Sequence, residues 1–227
     1  DFINSLGCGF GWYVGGYKTA GIDPTGRATF VSGVITNTLL PAAGSSSDTT
    51  YKWLGNYDTN LANEAPGGAT VTAGGAAARS ATQVKFGSAS AALLTGSTDY
   101  MEGAAAAMHP GANNFEVGLW VYPTSIAAYG NLWGNRTGDA AATIGVSLYS
   151  SPSTGQVVLA LNDGTSTIVS ISSGQNLSIN TWNYVYAARN GTAFYLAVNG
   201  VMVSATGTAA AVGNAAAVFR IGKPSAG

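Results

Sequence analysis

Phe115-Glu116-Val117-Gly118-Leu119-Trp120-Val121-Tyr122-Pro123 decides the fold. Apolar residues alternate with others along it, and Pro123 ends it. That is the period of a strand with one covered face. The same grammar recurs outward from it. Val157-Val158-Leu159-Ala160-Leu161 runs to Asp163-Gly164 and resumes at Thr167-Ile168-Val169-Ser170-Ile171. Trp182 to Ala188 runs to Asn190-Gly191. Phe194 to Val198 runs to Asn199-Gly200 and resumes as Val201-Met202-Val203. Asn-Gly and Asp-Gly supply the positive φ that two-residue hairpins require, so three antiparallel hairpins are predicted.

Composition bounds the function. Charged residues are 8% of the 227, against roughly 25% in an average soluble protein, and the net charge is -1. So neutral a chain offers no grip for nucleic acid and no basic patch for anionic membranes. No apolar stretch reaches the length of a membrane-spanning helix. The single cysteine, Cys8, excludes an internal disulfide; it reads as a small buried hydrophobe, with an intermolecular link as the alternative. Such a chain suits an assembly built in a reducing cytosol that works outside cells. It opens at Asp1 rather than Met, which fits a removed or omitted leading segment, and no signal peptide is read in it.

Two regions are expected. Residues 1–47 mix glycines with Phe10, Trp12, Tyr13 and Tyr17, and Gly44-Ser45-Ser46-Ser47 is linker-like. They read as an extended N-terminal arm. It packs on the body or a neighbouring subunit through those aromatics, or else adds strands to the same domain. Residues 48–227 read as one all-β domain, an antiparallel two-sheet sandwich. Strands are predicted at Tyr51–Leu54, Thr70–Thr72, Ala81–Phe86, Ala89–Leu94, Ala142–Tyr149 and Phe219–Gly222. A helical turn at Ala104–Met108 is stopped by His109-Pro110.

The ordered set of segments resembles the laminin-G-like, concanavalin A-like lectin/glucanase jelly roll, in the version found in bacteriophage virion proteins and bacterial surface proteins. The matching pieces start at Trp53-Leu54-Gly55-Asn56-Tyr57-Asp58 and Lys85-Phe86-Gly87-Ser88-Ala89-Ser90. Gly96-Ser97-Thr98-Asp99-Tyr100-Met101, Phe115 to Thr124 and Asn180-Thr181-Trp182-Asn183-Tyr184-Val185 follow. Arg189-Asn190-Gly191-Thr192, Tyr195 to Gly200 and Phe219-Arg220-Ile221-Gly222 complete it. The resemblance implies a jelly-roll fold. It leaves function open among lectins, glycosidases, adhesins and spacers.

Chemistry is sparse. Glycoside hydrolysis needs two carboxylates roughly 5–10 Å apart. The three glutamates are Glu64, Glu102 and Glu116, and Glu116 has Asn114, Gly118 and Trp120 as same-face neighbours. His109 is the sole histidine, and no nucleophile elbow accompanies it. One histidine and one cysteine are too few for zinc. Relatives of this fold bind calcium at the rim, for which Asp58 with Asn60 and Asn63, or Asp139 with Asn135, supply oxygens; Asp163 reads as a turn residue. No cofactor is assigned. A sugar site wants an aromatic face and planar polar groups, which Tyr129, Trp133, Asn135, Arg136 and Asp139 provide in one stretch. Trp120, Tyr122, Trp182, Tyr184 and Tyr186 read as packing and sheet-face residues.

The expectation is a non-enzymatic structural or decorating component of a phage-like virion: a capsid cement, tail or fibre protein. Its partners are other virion proteins, copies of itself and cell-surface glycans, with no nucleic acid and no membrane insertion. The alternative is a carbohydrate-binding adhesin module of a bacterial surface or secreted protein.

Overall fold

Tertiary contacts in the computed structural model divide the chain into two units, Asp1–Ser47 and Asp48–Gly227. The structure describes strand backbone at residues 2–4, 10–14, 17–22 and 28–30, and then residues 52–55, 57–65, 68–93, 98–136, 144–152 and 154–223. In the first unit β1 (Phe2–Asn4), β2 (Phe10–Val14), β3 (Tyr17–Ile22) and β4 (Ala28–Phe30) pair in sequence order as an antiparallel sheet. Cys8 and the side chains of Phe10, Trp12, Tyr13 and Tyr17 lie outside the described residues.

The second unit is an all-β sandwich. Its strands are β5 (Val71–Gly74), β6 (Ala78–Ser80), β7 (Ser90–Ala92), β8 (Tyr100–Gly103), β9 (Phe115–Val121) and β10 (Gly130–Gly134). They continue with β11 (Gly145–Ser150), β12 (Gln156–Asn162), β13 (Thr167–Asn176), β14 (Asn183–Asn190), β15 (Ala193–Val198), β16 (Val201–Thr206) and β17 (Phe219–Gly222). One helical turn, α1 (Ala105–Met108), precedes His109. One sheet runs β13-β12-β11-β10-β17-β8-β5, the other β16-β15-β14-β9, and β6 pairs with β7 alone. The out-of-sequence neighbours β17–β8 and β14–β9 mark the jelly-roll crossovers.

Alternation builds the core between the two sheets. Val185 and Ala187 of β14 and Phe194, Leu196 and Val198 of β15 are buried against Val146, Leu148, Val157, Leu159 and Leu161 of the facing sheet. Removing each such large side chain from water contributes on the order of 1.5–3 kcal/mol. The partners of those residues on the other parity stay outside, so register alone fixes which side chains form the exposed face.

Hairpin chemistry varies. Asn199 and Gly200, with φ of 52° and 85°, form the expected two-residue turn. The β14–β15 turn is shifted by one residue: Asn190 pairs with Ala193, so Gly191 (φ 61°) and Thr192 make the turn. Asp163-Gly164 opens a four-residue loop instead, because Asn162 pairs with Thr167. The Asp163 carboxylate accepts the N–H groups of Thr165 (2.7 Å) and Ser166 (2.6 Å) and winds the chain around itself.

Two predicted strands are corrected. Tyr51–Leu54 forms no strand over its described residues. The Lys52 carbonyl and the Leu54 N–H are taken by the Asn63 amide (both 2.8 Å), and Glu64 N–H bonds the Leu54 carbonyl. Ala81–Phe86 is a series of bends between β6 and β7. Side-chain bonds hold it, among them Thr82 N–H to Ser80 Oγ and Ser90 Oγ to the Gln83 carbonyl.

Candidate functional site

The outward face of β16-β15-β14-β9 gathers Trp120, Tyr184, Tyr186 and Tyr195. Pairing sets Trp120 beside Tyr184, Gly118 beside Tyr186 and Glu116 beside Ala188. Ala188 pairs on with Tyr195, and Tyr195 with Ser204. All share one parity, opposite to Val117, Leu119 and Val185, which pack toward the core. The Trp120 and Tyr184 rings lie 5.2 Å apart at 48°. Beyond the strand ends Tyr122 and Trp182 continue the row at 5.5 Å. From Tyr122 to Asn114 the strip runs eight residue steps, roughly 26 Å.

The strip passes from ring to trough to polar end. Trp120 is 40% exposed. Gly118 leaves the backbone bare under the Tyr184 hydroxyl. Next comes an open depression of about 420 Å³ lined by Asn114, Glu116, Tyr186, Asn190 and Tyr195 among others. Burial pushes the Tyr186 phenol above its ordinary value, and the adjacent Glu116 carboxylate, which accepts its hydroxyl, adds to the rise. Asn114 fixes the far end, donating to Asn190 Oδ1 (3.2 Å) and accepting from Gly191 N–H (2.8 Å).

The other end is closed by the loop between β6 and β7. The Phe86 ring meets Trp120 edge-on at 5.9 Å, and Lys85 Nζ lies 4.1 Å from the Trp120 centroid. Asp58 anchors this loop by accepting from Ser88 N–H and Ala89 N–H.

Of the predicted sugar residues, Tyr129 and Arg136 meet one ring, that of Tyr149, while Trp133 and Asn135 are buried. Tyr129 is 39% exposed and packs 5.7 Å from Tyr149 on the seven-stranded sheet. Arg136 is buried with its guanidinium over the same Tyr149 ring, 4.9 Å from its centroid. Trp133 is buried in the core between Phe219 (4.8 Å) and Phe115 (5.8 Å), so it has no free face for a sugar ring. Asn135 is fully buried and locked: Oδ1 accepts Val146 N–H and Nδ2 donates to the Asn214 carbonyl, both 2.8 Å. Asp139 lies outside the described residues. Trp133 lies in β10 and turns into the core, Asn135 and Arg136 follow the strand into buried positions, and the β10 register is broken by a bulge between Asn131 and Trp133.

The proposed calcium oxygens also have other work. The Asp58 carboxylate holds Ser88 and Ala89, Asn60 Oδ1 accepts Ala62 N–H, and both ends of the Asn63 amide are bonded. His109 accepts Gly111 N–H at Nδ1 and places Nε2 3.1 Å from the Gly213 carbonyl, joining two loops. Sequence reasoning passed over Glu116, Tyr195, Lys85 and Phe86 as site residues. The parity shared by Glu116, Gly118 and Trp120 was the available signal; the approach of Lys85 had none.

Comparison with known proteins follows the fold. A family model described as Concanavalin A-like lectin/glucanases superfamily matches residues 95–227. No curated protein matches the chain. Among solved structures, the chain is similar to domain 4 of AbnA, a GH43 extracellular arabinanase from Geobacillus stearothermophilus, solved in complex with arabinotriose. The identity is 18% over 68% of this chain and 74% of that one, with a TM-score of 0.52. Domains LG4-5 of the mouse laminin alpha1 chain match at 18% identity over 49% of this chain and 28% of that one, TM-score 0.36. Alginate lyase A1-II′ of polysaccharide lyase family 7 matches at 13% identity over 75% and 74%, TM-score 0.35. The likeness to the arabinanase domain is one of fold.

Proposed function

Because the chain belongs to the Concanavalin A-like lectin/glucanases superfamily, we propose that it is a non-enzymatic carbohydrate-binding module acting at a cell exterior. Its site is the outward face of β16-β15-β14-β9. The observation that carries this reading is the Trp120–Tyr184 ring pair leading into a depression edged by Asn114, Glu116 and Asn190. Ring faces take the C–H face of a sugar, and planar amides and carboxylates take its hydroxyls. The arabinotriose held by the similar arabinanase domain accords with it. Glycosidic cleavage would need a second carboxylate, and Glu116 is the sole acid among the described residues of this face. Among the described residues no helix is long and apolar enough to cross a membrane.

Glycan-array screening followed by calorimetry tests it. Trp120→Ala lowers affinity about tenfold for whichever glycan binds, while Tyr129→Ala on the other sheet leaves it unchanged. A glycan bound equally by wild type and Trp120→Ala would move the site elsewhere. The absence of binding to any glycan would end the reading.

A second reading places the module on a phage-like virion, as a capsid, tail or fibre component. It draws on the 8% charged composition and on the division of the chain into two units, the first carrying the aromatic residues Phe10, Trp12, Tyr13 and Tyr17. Electron microscopy of native particles tests it. A chain lacking residues 1–47 that assembles as well as the full chain removes the assembly role of that unit.

A further inference from the structure

Lys85 occupies the position that a ligand of the aromatic strip would take. Its ammonium lies 4.1 Å from the Trp120 centroid and 5.5 Å from that of Phe86. Two rings, Trp120 and Phe86, thus face one cation; they meet edge-on at 5.9 Å, and Tyr184 flanks Trp120 at 5.2 Å. Among the described residues no carboxylate pairs with Lys85, whereas Arg220 pairs with Glu102. The rings hold the ammonium by their own electron-rich faces. At 4.1 Å there is no room for a sugar ring between the ammonium and the indole, so stacking on that face requires Lys85 to leave. Its backbone need not move, since the loop is anchored through Asp58 to Ser88 and Ala89 while the long side chain swings from it.

The exchange selects a chemistry. A neutral sugar that displaces Lys85 forfeits the cation–π contact. A ligand that brings its own ammonium restores it. Once Lys85 has swung away, Glu116 is the remaining formal charge on this face among the described residues, and it favours a cation. Resting on the carbohydrate-binding reading above, we propose that the Trp120 and Phe86 rings, with Tyr184 flanking Trp120, recognise a protonated amino sugar. The ligand class is a glycan carrying free, de-N-acetylated hexosamine units, and Lys85 is its built-in stand-in.

The test compares a glucosamine tetramer with its N-acetylated counterpart in mildly acidic buffer, where the free amines are protonated. Full-length wild type, Lys85→Met and Trp120→Ala are titrated. The free-amine tetramer is expected to bind wild type roughly fivefold more tightly than the N-acetylated one. Lys85→Met binds the free-amine tetramer more tightly still, because the competitor is gone, and Trp120→Ala loses the preference. In proton NMR the Lys85 ε-methylene signal, shifted upfield by the Trp120 ring, moves to its ordinary position on saturation. Equal or tighter binding of the N-acetylated tetramer overturns the proposal. So does Trp120-dependent binding of neutral glycans alone, which leaves the carbohydrate reading intact. If no glycan binds any variant, the two fall together.

Discussion

The Asp58 carboxylate accepts the backbone N–H of Ser88 at 2.5 Å and the Ser88 hydroxyl at 3.2 Å, tying two loops that are distant in sequence. Gly87, at φ 70°, turns beside that carboxylate with no room for a side chain. The clamp matters because Lys85 and Phe86 hang from the same loop over Trp120. The Ser88 N–H, chief among several donors, holds the Asp58 carboxyl below its ordinary value. Its contribution is therefore present above the unfolded value near about 4 and fades as pH falls through the lower folded value. Acidification is expected to release the 81–88 loop, seen as a change in Trp120 fluorescence. Asp58→Asn brings that change forward to neutral pH, with the core signals of the sandwich unaltered; an unchanged Trp120 environment in this variant counts against the clamp.

Alkaline stability should be governed in part by Tyr57. Burial, assisted by the nearby Glu64 carboxylate, pushes its phenol up to about 12. The unfolded chain loses this proton first, near about pH 10, so stability falls as pH rises from there toward the folded value. The loss attributable to Tyr57 is about 3 kcal/mol across that window. Denaturant titrations of Tyr57→Phe at a series of alkaline pH values should give a shallower decline than wild type. Parallel declines would remove Tyr57 from the account.

Arg189 is buried at one end of the sandwich and serves as a clamp on three loops. Its guanidinium donates to the carbonyls of Gly191 (3.0 Å), Gly111 (3.4 Å), Thr208 (3.5 Å) and Ala210 (3.0 Å), and it stands over the Phe194 ring at 5.4 Å. Burial pulls the guanidinium below its ordinary value, yet four carbonyl dipoles keep it hosted as a cation. Arg189→Met retains the packing and strands the carbonyls, so a cost of about 2–4 kcal/mol is expected in chemical denaturation. Lys cannot span the same fork, and Arg189→Lys should recover less than half of the loss.

Gly118 separates the ring end of the strip from its polar end. A Cβ there would stand 2.6 Å from the Tyr184 hydroxyl, and Tyr184 would have to swing off Trp120. On an exposed strand position Val raises strand preference. Gly118→Val should therefore leave thermal stability unchanged or slightly raised while weakening glycan binding about tenfold. Retained affinity would show that the ligand does not cross the trough.

The alternation Phe115 to Val121 was legible because a half-buried strand must repeat every two residues, and the structure follows it. The Asn199-Gly200 turn was legible for the same local reason: positive φ at both positions. The Asp163 loop departs from the tight turn that Asp-Gly predicts, because its carboxylate offers the backbone a longer route. Tyr51–Leu54 departs from the strand its sequence predicts, because Asn63, well downstream, takes backbone groups that a strand partner would use. Trp133 and Asn135 carry residue types suited to sugars, yet type says nothing about Trp133 turning into the core or Asn135 being bound by Val146 and Asn214.

By itself the sequence determined the all-β class, most strand positions and the parity of each strand, since these follow from local periodicity and φ preference. Only the tertiary structure decided which parity faces out, because that depends on which sheet lies opposite. It also decided that Trp120 meets Tyr184 on one side and Phe86 and Lys85 on another, a juxtaposition made by crossover pairing of β9 with β14 and by a loop held through Asp58. Pairing across long sequence separations leaves no trace in any single segment, and the candidate site is built from such pairings.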